Sequence, residues 1–173
     1  EAPNRTGMLH ADPHPGNFRQ LPAADGGPGR LGVLDFGAVA RLPEGKLPRS
    51  IGALIRIALM DDYDQLVDAL RDEGFIRERV NVDADQLRAY LAPFLEPASV
   101  ERFRFSRAWM QQQFRRLNDP DGDARTTMLR LNLPPSYMLI HRTFSGTVGV
   151  LSQLEAEVPF RQVMLDSLPG FAG

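Results

Sequence analysis

The most informative segment of this chain is His10-Ala11-Asp12-Pro13-His14-Pro15-Gly16-Asn17, which Leu34-Asp35-Phe36-Gly37 follows downstream. An aspartate stands five residues before an asparagine, a histidine stands two residues before that aspartate, and an Asp-Phe-Gly comes later. This order and spacing are typical of enzymes that transfer phosphoryl groups with the protein-kinase arrangement. Each segment alone consists of common turn dipeptides, but the two together, each after a short apolar run, favour the kinase-like interpretation.

The residue types in these segments suit the roles that phosphoryl transfer requires. The reaction needs a carboxylate to orient the attacking hydroxyl group, and oxygen ligands for the divalent metal ions that bridge the phosphates. Asp12 is the predicted catalytic carboxylate, because it is a short acidic side chain on a loop. Asn17 offers a neutral carbonyl oxygen and Asp35 a charged one, so both are predicted to bind Mg²⁺ and, through it, the nucleotide.

The neighbouring residues are expected to support this site. His10 is grouped with the catalytic residues because it is expected to hold the loop through hydrogen bonds, without transferring a proton itself. His14 stands where many protein kinases carry a lysine, and two roles stay open for it: a contact with nucleotide phosphate, or a purely structural one. Phe36 is expected to pack into the core, and Gly37 is expected to permit the turn that aims Asp35.

A metal-dependent hydrolase is a weaker interpretation of the same segment. His10, Asp12 and His14 alternate as ligands on one face of a strand would. The prolines between them argue against a regular central strand. The remaining histidine, His141, lies in a predicted helix, so no second cluster completes such a site.

Composition places the chain among ordinary globular proteins. Its 173 residues are 43% hydrophobic and 24% charged, which suffices for one domain with a sizeable core. The net charge of −2 offers no basic surface for nucleic acid. Cysteine is absent, which excludes disulfides and thiolate metal sites and is compatible with a reducing cytosol. No apolar run approaches the roughly 20 residues that span a bilayer.

The apolar spacing predicts a mainly α chain, with short β elements that carry both motifs and a helical bundle after them. This is the architecture of the C-terminal lobe of a protein kinase, with residues 1–46 as the catalytic-loop and Asp-Phe-Gly segment and residues 47–173 as its helical part. Strands are predicted at 7–9 and 31–34. Helices are predicted to begin near Leu47, after the N-caps Asp62 and Asp83, at Ser106, at Pro134-Pro135 and at Pro159.

At its two motifs the chain resembles the UbiB/ADCK family of atypical kinase-like proteins. His10 to Phe18 and Leu34 to Leu42 are similar to that family's catalytic loop and metal-binding motif. The helical remainder is also similar, notably at 58–64, 66–75 and 137–154. The resemblance therefore covers nearly the whole chain.

The resemblance implies specific roles and partners. Asp12 would be the catalytic-loop aspartate, and Asn17 and Asp35 would bind Mg²⁺ in the presence of ATP. Family members act as ATPases or small-molecule kinases, are linked to isoprenoid quinone biosynthesis or lipid homeostasis, and usually work at membranes. An isoprenoid lipid or quinone precursor and a membrane surface are therefore expected partners, in a cytoplasmic protein that is membrane-associated at full length.

Part of a kinase-like enzyme is not found in these residues. Such enzymes hold the nucleotide with an upstream lobe that contributes a strand lysine, whereas the only lysine here, Lys46, follows the Asp-Phe-Gly motif. We therefore expect a C-terminal lobe whose main partner is the N-terminal lobe of the same protein. Alone, it is expected to show little phosphoryl transfer and to self-associate through apolar surface that the other lobe would cover.

Two other functions stay open. Aminoglycoside- and choline-type phosphotransferases have a similar catalytic loop, although the proline directly after Asp12 fits the UbiB/ADCK family better. A non-enzymatic helical interaction module that keeps the motifs only as structure is the second alternative.

Overall fold

Short strands and turns fill the first part of the chain, and helices fill the rest. The structure is a computed structural model that describes residues 2–23, 26–27, 29–120 and 122–173. The first part contains α1 (Ala2–Thr6), β1 (Met8–His10), β2 (Phe18–Leu21), β3 (Arg30–Val33) and β4 (Val39–Arg41). The second contains α2 (Arg49–Leu59), α3 (Tyr63–Asp72), α4 (Ala84–Ser99), β5 (Phe103–Arg104), α5 (Arg107–Leu117), α6 (Asp123–Arg130), α7 (Met138–Gln153), β6 (Glu157–Val158) and α8 (Phe160–Ser167). The chain is mainly helical, as predicted.

The strands form three separate antiparallel pairs. Strand β1 pairs with β4, with Leu9 opposite Ala40, and β2 pairs with β3, with Arg19 opposite Gly32. The short pair β5–β6 joins the start of α5 to the end of α7. The predicted strands at 7–9 and 31–34 are present within one residue of their expected bounds, but their partners β4 and β2 are not predicted by the sequence. Each predicted strand pairs with a segment that adjoins a motif.

These pairings bring the two motifs together. The backbone N–H of Ala11 donates to the carbonyl oxygen of Ala38 at 2.8 Å, which continues the β1–β4 pair into the catalytic loop. The N–H of Leu34 donates to the carbonyl oxygen of Asn17 at 2.9 Å, which continues the β2–β3 hairpin towards the Asp-Phe-Gly motif. The chain between the motifs is thus folded back on itself.

Side-chain caps explain where three helices begin. Asp62, Asp83 and Ser106 each accept a hydrogen bond from the backbone N–H three residues later, at 3.1, 2.9 and 3.1 Å. Such caps satisfy N–H groups that have no partner within the helix. The predicted starts of α3, α4 and α5 are therefore confirmed. Helix α6 has no counterpart in the sequence prediction, because no side chain caps it and burial of Ala124 and Thr127 holds it in place.

The largest hydrophobic cluster lies between α2, α3 and α4. Leu66, Ile76 and Leu87 are at most 1% exposed at its centre. A second cluster surrounds Phe105, whose ring meets those of Phe103 and Trp109 edge-on at 4.9 and 5.7 Å. The helical part therefore has its own hydrophobic core.

Tyr137 anchors the short 3₁₀ turn that precedes α7. Its hydroxyl lies 2.7 Å from the Ser50 hydroxyl and also donates a hydrogen bond to the Glu73 carboxylate. Its ring packs on that of Phe75 at 4.8 Å. Burial, together with the hydrogen bond to Glu73, raises the pKa of Tyr137 above its ordinary value. The start of α7 is thereby fixed against α2 and α3.

Within the described residues, no helix is both long enough and apolar enough to cross a membrane.

The central cluster predicts how two leucine truncations differ. Leu66→Ala is expected to lower the free energy of unfolding by about 2–5 kcal/mol, because it leaves a cavity at a position that is 1% exposed. Leu129→Ala on α6 is the matched control: this side chain is 74% exposed, so a change within about 0.5 kcal/mol is expected. Urea unfolding monitored by circular dichroism checks both, and equal losses would contradict the described core.

Candidate active site

The imidazole ring of His10 joins the two motifs. Its Nδ1 accepts a hydrogen bond from the backbone N–H of Asp12 at 3.3 Å, and its Nε2 lies 2.5 Å from the carbonyl oxygen of Asp35. Because an N–H can only donate and a carbonyl can only accept, the ring carries its proton on Nε2 and not on Nδ1. One side chain therefore holds the catalytic-loop backbone against the Asp-Phe-Gly backbone.

The Asn17 side chain is oriented by Asp12. Its Nδ2 donates to the Asp12 carboxylate oxygen Oδ2 at 2.9 Å and to the Asp12 carbonyl oxygen at 3.1 Å. Because both partners are acceptors, only the NH₂ end of the amide can face them. The amide oxygen Oδ1 is therefore directed away from Asp12, and no group in the described part of the chain donates to it. This orientation leaves a neutral oxygen available to a cation.

Asp35 is held by its own turn. Its Oδ1 accepts a hydrogen bond from the backbone N–H of Gly37 at 2.7 Å, and the side chain is exposed. This Asx-type turn fixes one carboxylate oxygen. Among the described residues, nothing donates to the second oxygen, Oδ2. The predicted role of Gly37 in aiming Asp35 corresponds to this hydrogen bond.

The donor set of these residues suits Mg²⁺. Carboxylate and amide oxygens are its preferred protein ligands, and Mg²⁺ usually takes only one or two of them beside water and phosphate oxygens. Over the described ranges, no group of three or more His, Asp or Glu side chains is arranged to hold a metal ion. Asp35 with the amide oxygen of Asn17 would give a cation two protein ligands, and water and phosphate oxygens would supply the rest.

His14 occupies the surface of the loop. Its Nδ1 accepts a hydrogen bond from the backbone N–H of Gly16 at 3.1 Å, and this contact caps the 3₁₀ turn Pro15–Asn17. The ring is exposed, so its Nε2 is open to solvent. The structure thus gives His14 a structural contact and still leaves one nitrogen for a phosphate, so both predicted roles stay open.

The geometry disfavours the metal-hydrolase interpretation. Both ring nitrogens of His10 already face backbone groups, so neither is directed at a metal ion. The segment after β1 is a loop and a 3₁₀ turn and not a strand, so His10, Asp12 and His14 do not share a strand face. His141 is exposed on α7.

The prediction that Phe36 packs into the core is wrong. Its side chain is 67% exposed, and its nearest ring contact is with His10, at 6.0 Å between centroids. Leu31 and Leu34 are similarly exposed. The physical reason is that no element of the described chain packs over the side chains of Leu31, Leu34 and Phe36. Their apolar side chains therefore form an exposed surface beside the site.

Helix α7 packs against the predicted catalytic loop, residues 10–17. The Thr143 hydroxyl is within hydrogen-bond distance of the carbonyl oxygens of His10, at 3.3 Å, and Leu139, at 2.9 Å. A side chain at Gly146 would collide with the ring of Pro13, so the helix and the loop approach each other closely at this position. Sequence reasoning missed these residues. The only available signal was a glycine in the interior of a predicted helix, which is costly unless packing requires it.

Arg142 on the same helix is the charged neighbour of Asp12. Its guanidinium lies 3.7 Å from the Asp12 carboxylate oxygen Oδ1, and both side chains are partly exposed. An exposed pair at this distance contributes at most about 1 kcal/mol. Asp12 therefore has Asn17 at one carboxylate oxygen and Arg142 near the other.

Comparisons with known proteins identify similar chains. A family model described as an ABC1 atypical kinase-like domain matches residues 2–70. Protein ACTIVITY OF BC1 COMPLEX KINASE 3, chloroplastic, from Arabidopsis thaliana is 30% identical over 166 residues, which are 96% of this chain and 21% of that protein. A solved complex of Rv3197 with erythromycin from Mycobacterium tuberculosis is 34% identical, with a TM-score of 0.82, over 99% of this chain and 41% of that chain. The chain thus spans about a fifth of the curated relative and under half of the solved one.

The contact between α7 and the catalytic loop predicts opposite effects of two glycine substitutions. Gly146→Ala is expected to lower the free energy of unfolding by about 1–3 kcal/mol, because the new methyl group would collide with Pro13. Gly149→Ala, one turn along the helix, meets nothing within 4 Å and is expected to raise it by about 0.5–1 kcal/mol. Thermal unfolding compares the two, and a stabilising Gly146→Ala would contradict the close approach.

Proposed function

Because the chain belongs to the ABC1, or UbiB/ADCK, family of atypical kinase-like proteins, we propose that it supplies the catalytic loop and the metal ligands of an ATP-dependent phosphoryl-transfer enzyme. The observation that carries this proposal is the imidazole bridge of His10, which holds the backbones of Asp12 and Asp35 together. A fold shared with a 34% identical solved relative supports it. The activity, substrates and partners of the whole protein are part of the proposal.

Each side chain has a definite role in this proposal. Asp12 accepts a hydrogen bond from the attacking hydroxyl group and thereby orients it. Asn17 and Asp35 would hold Mg²⁺ through Oδ1 and Oδ2 respectively, the oxygens to which no residue in the described ranges donates. When bound, Mg²⁺ neutralises charge on the phosphates of ATP. His10 positions the loop, and the open nitrogen of His14 contacts a phosphate oxygen.

A kinase-type nucleotide site also needs a lysine side chain on the phosphates, and this sequence has no lysine before the catalytic loop. Lys46 is the only lysine and follows Asp35, whereas the phosphate-binding lysine of a kinase precedes the catalytic loop. We therefore place that lysine on a partner N-terminal lobe. The exposed side chains of Leu31, Leu34 and Phe36 beside the site are suited to contact it. Without that lobe, the chain is proposed to be inactive and to self-associate through the same surface.

The biological setting is proposed from the family. Isoprenoid quinone biosynthesis or lipid homeostasis would supply a quinone precursor or isoprenoid lipid as the ligand, and would place the whole protein at a membrane surface. The Arabidopsis relative is named for the activity of the BC1 complex and is chloroplastic. This name says nothing about a membrane or about the acceptor of the phosphate.

A small-molecule phosphotransferase is the second candidate function. The observation that favours it is the solved relative, whose structure is a complex with erythromycin, a macrolide that carries several hydroxyl groups. If this function is correct, the longer protein consumes ATP faster when erythromycin is present and the product gains a phosphate. Mass spectrometry of the macrolide distinguishes this outcome from hydrolysis of ATP by water.

The metal site predicts a local response to Mg²⁺. We expect amide signals of Asn17 and Asp35 to shift on Mg²⁺ titration, and the apparent affinity to fall at least about tenfold in Asp35→Asn, which loses a charged ligand. Asp72→Asn is the matched control, because this exposed acid of α3 lies outside the site. Heteronuclear NMR provides the measurement. If the amide signals of Asn17 and Asp35 do not shift with Mg²⁺, the result would favour the non-enzymatic helical module.

The catalytic role of Asp12 predicts a loss of turnover in the longer protein. Asp12→Asn is expected to lower kcat by about 10²–10⁴-fold, because the neutral amide binds the hydroxyl group more weakly than a carboxylate and cannot take up the proton that it releases on attack. His141→Gln, on the exposed side of α7, is expected to leave kcat unchanged. A coupled assay of ATP consumption measures both. Turnover by the 173-residue chain alone, abolished by Asp35→Ala, would contradict the need for a second lobe.

A further inference from the structure

A cavity of about 370 Å³ lies away from the two motifs, between α2, α8 and the last residues of the chain. Its lining combines two arginines, Arg56 and Arg161, with the hydroxyl-bearing Ser99 and an apolar wall that includes Leu165 and Phe171. This volume falls in the lower part of the range of small-molecule sites. An apolar wall with a few convergent polar groups is the usual composition of such sites.

The wall of the cavity is held rigidly by the end of the chain. Gly52 on α2 lies so close to the Pro169 carbonyl oxygen that a Cβ there would collide with it. Gly170 has a φ of 80° and would collide with the Arg49 carbonyl oxygen if it had a side chain. The segment that carries Phe171 is therefore locked onto α2. Close packing of the backbone at residues 169–171 on the backbone of α2 therefore fixes this wall of the cavity.

The two guanidinium groups have no acidic partner. Neither Arg56 nor Arg161 forms an ion pair anywhere in the described part of the chain, and no carboxylate belongs to the residues that line the cavity. The Nε of Arg56 is buried and has no hydrogen-bond partner. Arg161 donates one hydrogen bond, to the Ala98 carbonyl oxygen at 3.0 Å, and its guanidinium lies 5.9 Å from the centre of the Phe171 ring.

Arg161 is exposed, but Arg56 is half-buried, and burying its Nε without a partner is costly. An anion offsets this cost. The helix C-termini near both arginines offset part of the charge, but they supply no partner to the Arg56 Nε. A phosphate monoester carries nearly two negative charges at neutral pH, which matches two guanidinium groups, and its oxygens accept the paired N–H donors of arginine. The neighbouring apolar wall requires an apolar group on the same ligand.

We propose that this cavity binds a phosphate monoester that carries an apolar group, with Arg56 and Arg161 on the phosphate and Leu165 and Phe171 on the apolar group. The site is separate from the phosphoryl-transfer site and does not depend on the function proposed for that site. Its ligand is either a soluble phosphorylated metabolite or a lipid with a phosphate headgroup, since both present the same chemistry.

Hexyl phosphate is the probe that tests the proposal on the full chain. Titration is expected to shift the amide signals of Ser99 and Phe171 saturably in heteronuclear NMR. Arg56→Gln and Arg161→Gln are each expected to weaken binding at least about tenfold, the loss that follows removal of a hydrogen bond to a charged group. Arg79→Gln, an exposed arginine outside the cavity, is the matched control and is expected to bind as the wild type does. Thermal unfolding verifies that each variant is folded.

One further probe, used beside hexyl phosphate, separates the sources of the ligand. Binding to phosphatidylcholine vesicles doped with phosphatidic acid, lost in Arg161→Gln, would support a lipid headgroup. Binding of hexyl phosphate without vesicle binding would support a soluble metabolite. The proposal is overturned if hexyl phosphate binds equally well to both arginine variants, if inorganic phosphate binds as tightly as hexyl phosphate, or if no signal at the cavity moves.

Discussion

A single neutral imidazole constrains the whole candidate site. His10 spans two backbone segments that are distant in sequence, because one ring nitrogen accepts from Asp12 and the other donates to Asp35. The backbone pairings on either side, from Ala11 to Ala38 and from Leu34 to Asn17, then fix the same two segments a second time. With the backbones fixed, the side-chain oxygens on them have few orientations left. Positioning is most of what a protein contributes to phosphoryl transfer, so the proposed function depends on this constraint.

The strand-rich and helical parts depend on each other through α7. The helix is anchored at its start by Tyr137 and supports the loop with Thr143 and the close approach at Gly146. The helical core therefore stabilises the loop that carries Asp12, although none of its buried residues belongs to the site. In contrast, the surface around Phe36 receives no support from the described residues. One side of the site is thus supported by packing, and the other side is exposed.

Local signals in the sequence are sufficient for the starts of α3, α4 and α5, each of which has a side-chain cap. Asp62 and Asp83 each cap a helix by accepting from the backbone N–H three residues later. A contact over so short a separation can be predicted from a local sequence pattern. The contact from Thr143 to His10 joins residues 133 positions apart, and no local pattern encodes it. The exposure of Phe36 was mispredicted for a related reason. An aromatic side chain favours burial, but whether another element covers it depends on the tertiary arrangement.

The central claim is that Asn17 and Asp35 converge on one cation because His10 holds their loops together. Paramagnetic broadening by Mn²⁺, which takes the same oxygen ligands as Mg²⁺, tests it most directly. At low Mn²⁺, the account predicts that the amide signals of Asn17 and Asp35 broaden together. It also predicts that His10→Ala needs a higher Mn²⁺ concentration for the same joint broadening, because only the backbone pairings then hold the two segments. Broadening of only one of the two signals in the wild-type chain would contradict it.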